Sequence, residues 1–179
     1  MLKWIIRNRL AAFERKYEYD MSYAREILDA DTRAFFAFAR IGGIGAYRKD
    51  VPKNMYWGAK LVGTVSEDCG PCTQLLVAMA IEDGADPKML SAVLANNEAA
   101  MTEEVLLGVR FARAALAHAP EADEHRDEIL KRHGQRAIVS LSFAICTIVP
   151  PASYVAHVQP PCSGVTVFAC GATRAMIAA

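Results

Sequence analysis

Along LKWIIRNRLAAFERKY, residues 2 to 17, apolar side chains fall at Leu2, Ile5, Ile6, Leu10 and Phe13, with arginines on the other face. That three-and-four spacing predicts an amphipathic helix. Its basic face fits a membrane-surface anchor or a helix packed on its own domain or a partner subunit; packing is the preferred reading. Residues 22–40, SYAREILDADTRAFFAFAR, carry a second helical pattern, divided near Asp29 to Asp31. Ile41-Gly-Gly-Ile-Gly45 is expected to break it. Those glycines lack the GxGxxG spacing and any βαβ surround, so they read as a hinge or a close helix contact rather than a phosphate cradle.

From Pro52 onward, Met55, Ala59, Leu61 and Val62 fit a helix, although Lys60 to Val65 alone also reads as a strand. Gly70 and Pro71 lie where a further helix can begin, residues 72–82 continue it, and Gly84 ends it. Asp86 and Pro87 supply an N-cap and a first-turn proline for the next, which Asn96 and Asn97 interrupt. Thr102 caps another helix, with Glu103 and Glu104 in its first turn and Val105, Val109, Ala112 and Leu116 on its apolar face. Pro120 to Asp123 reads as a turn. Residues 124–149 then read as one long helix, polar first and nearly all apolar later, its apolar part buried in the domain centre or between subunits. Pro150-Pro151 stops it, and Ser163 to Cys170 has strand-like composition.

The expected fold is therefore all-α, a compact helical bundle in one domain spanning residues 1–179. Its parts are a helical extension (1–50), a helical core (51–149) and a tail (150–179). Length agrees, since 179 residues suit a single domain. Hydrophobic residues make up 53%, above the usual range of about 45–50%. The excess, mostly alanine, leucine and valine, fits tight helix packing and surface buried between subunits, so a homo-oligomer is expected. The 20 basic and 20 acidic residues cancel. No global field favours nucleic acid or an anionic membrane, and neither is expected as a partner. The first helix lacks the apolar core of about 7–15 residues that a secretory signal needs. The longest apolar stretch, Ala137 to Val149, falls short of the roughly 20 residues of a membrane span. The cytoplasm is the expected compartment.

Five cysteines, Cys69, Cys72, Cys146, Cys162 and Cys170, are too few and too odd in number for a disulfide scaffold. Two of them form the stretch with chemistry, SEDCGPC. Cys69-Gly-Pro-Cys72 is the thioredoxin tetrapeptide, but that fold needs a central sheet, and everything from Pro87 to Val149 is helical in pattern. Zinc needs a second close ligand pair, which Cys162, Cys170 and His157 do not provide; no metal or cofactor is expected. An inert buried thiol suits Cys146, inside the apolar run. The pair remains a redox dithiol at a helix entrance. On a first helical turn the two Cβ atoms lie roughly 5–6 Å apart, near enough for a disulfide after modest adjustment. Free amides and the helix dipole there favour a thiolate, while Glu67 and Asp68 oppose it.

A helical chain with EDCGPC at a helix start, an acidic-capped helix and a long apolar helix resembles the alkylhydroperoxidase D-like, or carboxymuconolactone decarboxylase, superfamily over roughly residues 55–149. The resemblance implies an all-α oligomer and a small hydroperoxide as substrate, with a thiol or dithiol as reductant. It implies Cys72 as the nucleophile that attacks the peroxide and Cys69 as the resolving thiol. The family's peroxidases place a histidine four residues after the second cysteine and a glutamate twelve before the first. Here those positions are Leu76 and Trp57. The proton relay is missing, so the implied activity is slow; Glu67 is the nearest makeshift base. His118, His125, His133 and His157 read as surface or turn residues. The other reading of the same residues is a non-enzymatic helical oligomer stabilised or regulated by a Cys69–Cys72 disulfide.

Overall fold

In a computed structural model that describes residues 1–147, the chain is helical and no strand occurs among the described residues. The expected strand in Ser163–Cys170, together with Cys162, Cys170 and His157, lies outside that range. Contacts divide the chain into two compact units, Met1–Ile44 and the portion from Gly45 onward.

The first unit contains α1 (Leu2–Tyr17), α2 (Ser22–Ala30) and most of α3 (Thr32–Gly45). Ile6 and Leu10 pack with Ala24, Leu28 and Phe35. Ion pairs Arg7–Asp29 at 2.5 Å and Arg25–Glu14 at 2.6 Å tie α1 to α2. The break falls at Asp31, whose carboxylate accepts the Arg33 N–H at 2.8 Å. The expected break at Ile41–Gly45 does not occur: α3 runs to Gly45. Each interior helical glycine costs only about 1 kcal/mol, too little to end a helix.

The second unit is built around α4 (Lys53–Ser66), which buries residues on every side. Around it lie α5 (Gly70–Glu82), α6 (Pro87–Leu94), α7 (Glu103–Leu116), α8 (Glu121–His133) and α9 (Gln135–Cys146), with a 3₁₀ turn at Glu98–Ala100. One side of α4 packs Trp57 and Leu61 with Leu76, Val77, Leu90, Val93, Val105 and Val109. The other packs Met55 and Ala59 with Phe111, Ile129, Ala137, Leu141 and Ile145. The predicted caps are present: the Asp86 side chain accepts from Lys88 N, and that of Thr102 from Val105 N.

Residues 124–149 are not one helix. Gly134 has φ 81° and ψ 177°, a conformation that favours glycine, and it separates α8 from α9. Nor is Pro120–Asp123 a separate turn; Pro120 is the N-cap of α8. Glu121, Asp123 and Glu124 occupy the first turn of α8 and Lys131, Arg132 and His133 its last, so both ends complement the helix dipole. α9 buries Ala137, Ser140, Leu141, Ala144 and Ile145 along one side. Phe143 and Cys146 are exposed on the other, so Cys146 is not the buried thiol its composition predicts.

Candidate functional site

α4 ends at Ser66, and three residues, Glu67 to Cys69, link it to α5. Glu67 is the C-cap of α4, and Asp68 takes a left-handed conformation at φ 50°. Cys69 is the N-cap of α5 in extended backbone, Gly70 opens the helix, and Pro71 follows. Proline suits this turn because its missing N–H has no helical acceptor to lose.

Cys69 and Cys72 form a disulfide with their Cα atoms 5.3 Å apart. The pair is at disulfide distance, but Cys69 is the extended N-cap and only Cys72 lies on the first helical turn, so the two do not share that turn as the sequence predicts. The Cys72 N–H donates to Cys69 Sγ at 3.3 Å, so the Cys69 sulfur fills the place that a serine or aspartate oxygen takes at an ordinary N-cap. The Cys69 carbonyl accepts from both the N–H and the hydroxyl of Thr73, each at 3.0 Å. An amide donor and the positive end of a helix dipole at a cysteine sulfur both favour a thiolate over a thiol. Both cysteines are partly exposed, and Asp68 is exposed beside them. Among the described residues the Glu67 carboxylate has no hydrogen-bond or ion partner, so nothing orients it as a base.

Positions 76 and 57, where the resemblance would place a proton relay, belong to the core. Leu76 is 8% exposed and packs in the same cluster as Trp57. The indole Nε1–H of Trp57 donates to Asp83 Oδ2 at 2.8 Å. Arg48 also binds that carboxylate, and the Lys53 ammonium donates to the Asp83 carbonyl. Asp83 is the C-cap of α5. Trp57, Arg48 and Lys53 therefore hold the far end of the helix whose near end carries the disulfide. The hydrogen bond from Arg48, then that from Trp57, holds the Asp83 carboxyl below its usual range.

Removing that carboxylate should loosen α5. Asp83→Ala leaves the Trp57 indole N–H unpaired and is expected to cost about 1–2 kcal/mol in urea denaturation at neutral pH. Because the folded-state pKa is lowered, the contribution is present above the unfolded value of about 3.9 and fades as pH falls through the folded one. The difference between wild type and Asp83→Ala should therefore shrink in acid.

A second polar group lies on α4. The Lys60 amine donates to the Gly45 carbonyl at 2.7 Å and lies 5.5 Å from the ring centroids of Tyr56 and Trp57. The Tyr56 hydroxyl donates to the same carbonyl. Burial pushes Lys60 down to about 8 and Tyr56 up to about 12. Between about pH 8 and 10 the unfolded chain holds more protons at Lys60 than the folded one, so stability should rise with pH by ~1–2 kcal/mol. In Lys60→Met, denaturation midpoints followed over that window should lose this rise.

Neither polar group is read from the sequence as a site. The available signal is Lys53, Tyr56, Trp57 and Lys60, polar or amphipathic residues at helical spacing on an otherwise apolar helix. Of the described histidines, His118 is an exposed turn residue at φ 52° and His125 is half-buried on α8. His133 departs from the surface reading: its side chain is 13% exposed, with Nε2 buried, lacking a hydrogen bond, and 3.8 Å from Glu104. No group of three or more metal-binding side chains occurs among the described residues.

Compared with known proteins, the chain matches no family model, no curated protein and no solved structure. The alkylhydroperoxidase D-like resemblance accordingly rests on the dithiol and its helical setting.

Proposed function

We propose that the chain is an alkylhydroperoxidase-like thiol–disulfide oxidoreductase in which Cys69 and Cys72 reduce small organic hydroperoxides. The observation that carries this reading is the disulfide pair at the N-terminus of α5. In the reduced protein the Cys72 thiolate attacks the terminal peroxide oxygen. The O–O bond breaks, the alkoxide leaves and takes up a proton to become an alcohol, and Cys72 becomes a sulfenic acid. Cys69, its thiolate favoured by the Cys72 amide, attacks the Cys72 sulfur. The S–S bond forms, and hydroxide leaves and is protonated to water. A dithiol reductant then returns the pair to thiols by exchange and is itself oxidised to a disulfide. With leucine at 76 and tryptophan at 57, no side chain relays the first proton, so the rate is low.

The test counts thiols in reduced protein mixed with an organic hydroperoxide. Wild type should lose two thiols per peroxide consumed, and Cys72→Ser should react much more slowly. Equal rates in the two proteins would falsify the assignment of Cys72.

The second reading is a non-enzymatic helical oligomer, with the disulfide as a structural or regulatory clasp. It is favoured by the apolar burial of Leu76 and Trp57, which leaves the sulfurs without a relay. Melting temperature and oligomer size with and without reductant discriminate the two. A large change without turnover supports the clasp.

A further inference from the structure

α1 divides its apolar residues between two directions. Ile6 and Leu10 are buried against α2 and α3, whereas Leu2, Trp4 and Ile5 are 54%, 67% and 45% exposed. At 100° per residue, Trp4, Ile5, Asn8, Ala12 and Arg15 share the side turned away from Ile6 and Leu10, and Arg9 and Lys16 border it. The large apolar side chains sit in the first turn, and the bases follow one to three turns later. α1 carries Lys3, Arg7, Arg9, Arg15 and Lys16 against one acid, Glu14. Glu14 is taken by Arg25, and Arg7 is taken by Asp29. Arg9 and Arg15 form no ion pair among the described residues and are exposed.

We propose that this face of α1 seats on an anionic phospholipid surface, with Trp4 and Ile5 at the boundary of headgroups and acyl chains and Arg9 and Arg15 against lipid phosphates. Exposed tryptophan and isoleucine followed by the unpaired arginines Arg9 and Arg15 is the composition of an interfacial helix. A second copy fits less well, because pairing two such faces sets the unpaired Arg9 and Arg15 against their own counterparts. The seat is interfacial only: among the described residues no helix is long and apolar enough to cross a membrane. The neutral total charge conceals the feature, because the basic excess is local to one helix.

The experiment uses the full chain and vesicles of phosphatidylcholine with or without phosphatidylserine. Wild type should co-sediment with the serine-containing vesicles, with salt weakening the binding. Its fluorescence should shift to the blue through Trp4; Trp57, already buried, supplies a constant background. Trp4→Ser with Ile5→Ser, and separately Arg9→Glu with Arg15→Glu, should each lower partitioning by more than about tenfold. These positions are exposed, so far-UV circular dichroism should be unchanged in both. Failure of wild type to bind overturns the proposal, as does binding that either variant retains. A change in oligomer size in Trp4→Ser/Ile5→Ser without vesicle binding also overturns it, and assigns the face to a second copy.

Discussion

Replacing Cys69 by serine is expected to trap the first oxidation product. With no resolving thiol, a hydroperoxide converts Cys72 to its sulfenic acid, and a carbon nucleophile such as dimedone should label it at Cys72. In wild type the same treatment should give the Cys69–Cys72 disulfide and little label, because the partner sulfur lies one helical turn away, with Cα atoms 5.3 Å apart. The contrast should be nearly all-or-none by mass spectrometry. Cys72→Ser is the converse control: Cys69 remains, with its sulfur at the N-cap, and should take little label. Labelling of Cys69 in preference to Cys72 would reverse the roles of the two sulfurs, making the N-cap thiolate the attacking group.

The largest stability effect is expected at Gly108, where α7 crosses α4. A Cβ at this position would lie 2.7 Å from Met55 Cγ and 3.2 Å from the Met55 carbonyl oxygen. Met55 is fully buried, so it has no free space to move into. Gly108→Ala gains about 1 kcal/mol of helix propensity, against overpacking that typically costs about 1–3 kcal/mol, and should be mildly destabilising. Gly108→Val adds two methyl groups at the same crossing and should cost more than about 3 kcal/mol. Urea denaturation of the two variants should show that order. Equal stability of wild type and Gly108→Val would mean that α4 and α7 are farther apart than described.

Features governed by local chemistry were legible in the sequence. Gly70-Pro71 after an acidic pair marks the start of α5, and Asp86 and Thr102 cap where their side chains predict. The failures come from reading composition without face. The segment after residue 134 is apolar enough to read as buried all round, yet only one side of α9 is covered, and Cys146 lies on the other. Gly134 follows Lys131-Arg132-His133, a helix-end signal masked by the apolar run after it. The Trp57–Asp83 bond joins residues on different helices, and no periodicity encodes it. The dithiol itself was readable as a helix-start pair. At the two positions where the resemblance implies a proton relay, Leu76 and Trp57 are both part of the core.

As a thiol–disulfide oxidoreductase, the proposed role of the chain, the Cys69–Cys72 pair must turn over. The most direct measurement is hydroperoxide consumed per chain with a dithiol reductant in excess, corrected for the reductant alone. Slow but repeated consumption is expected, many equivalents per chain, abolished in Cys72→Ser. Consumption that stops at one equivalent or fewer, while reductant shifts the melting temperature, would contradict it and leave the disulfide as a structural clasp.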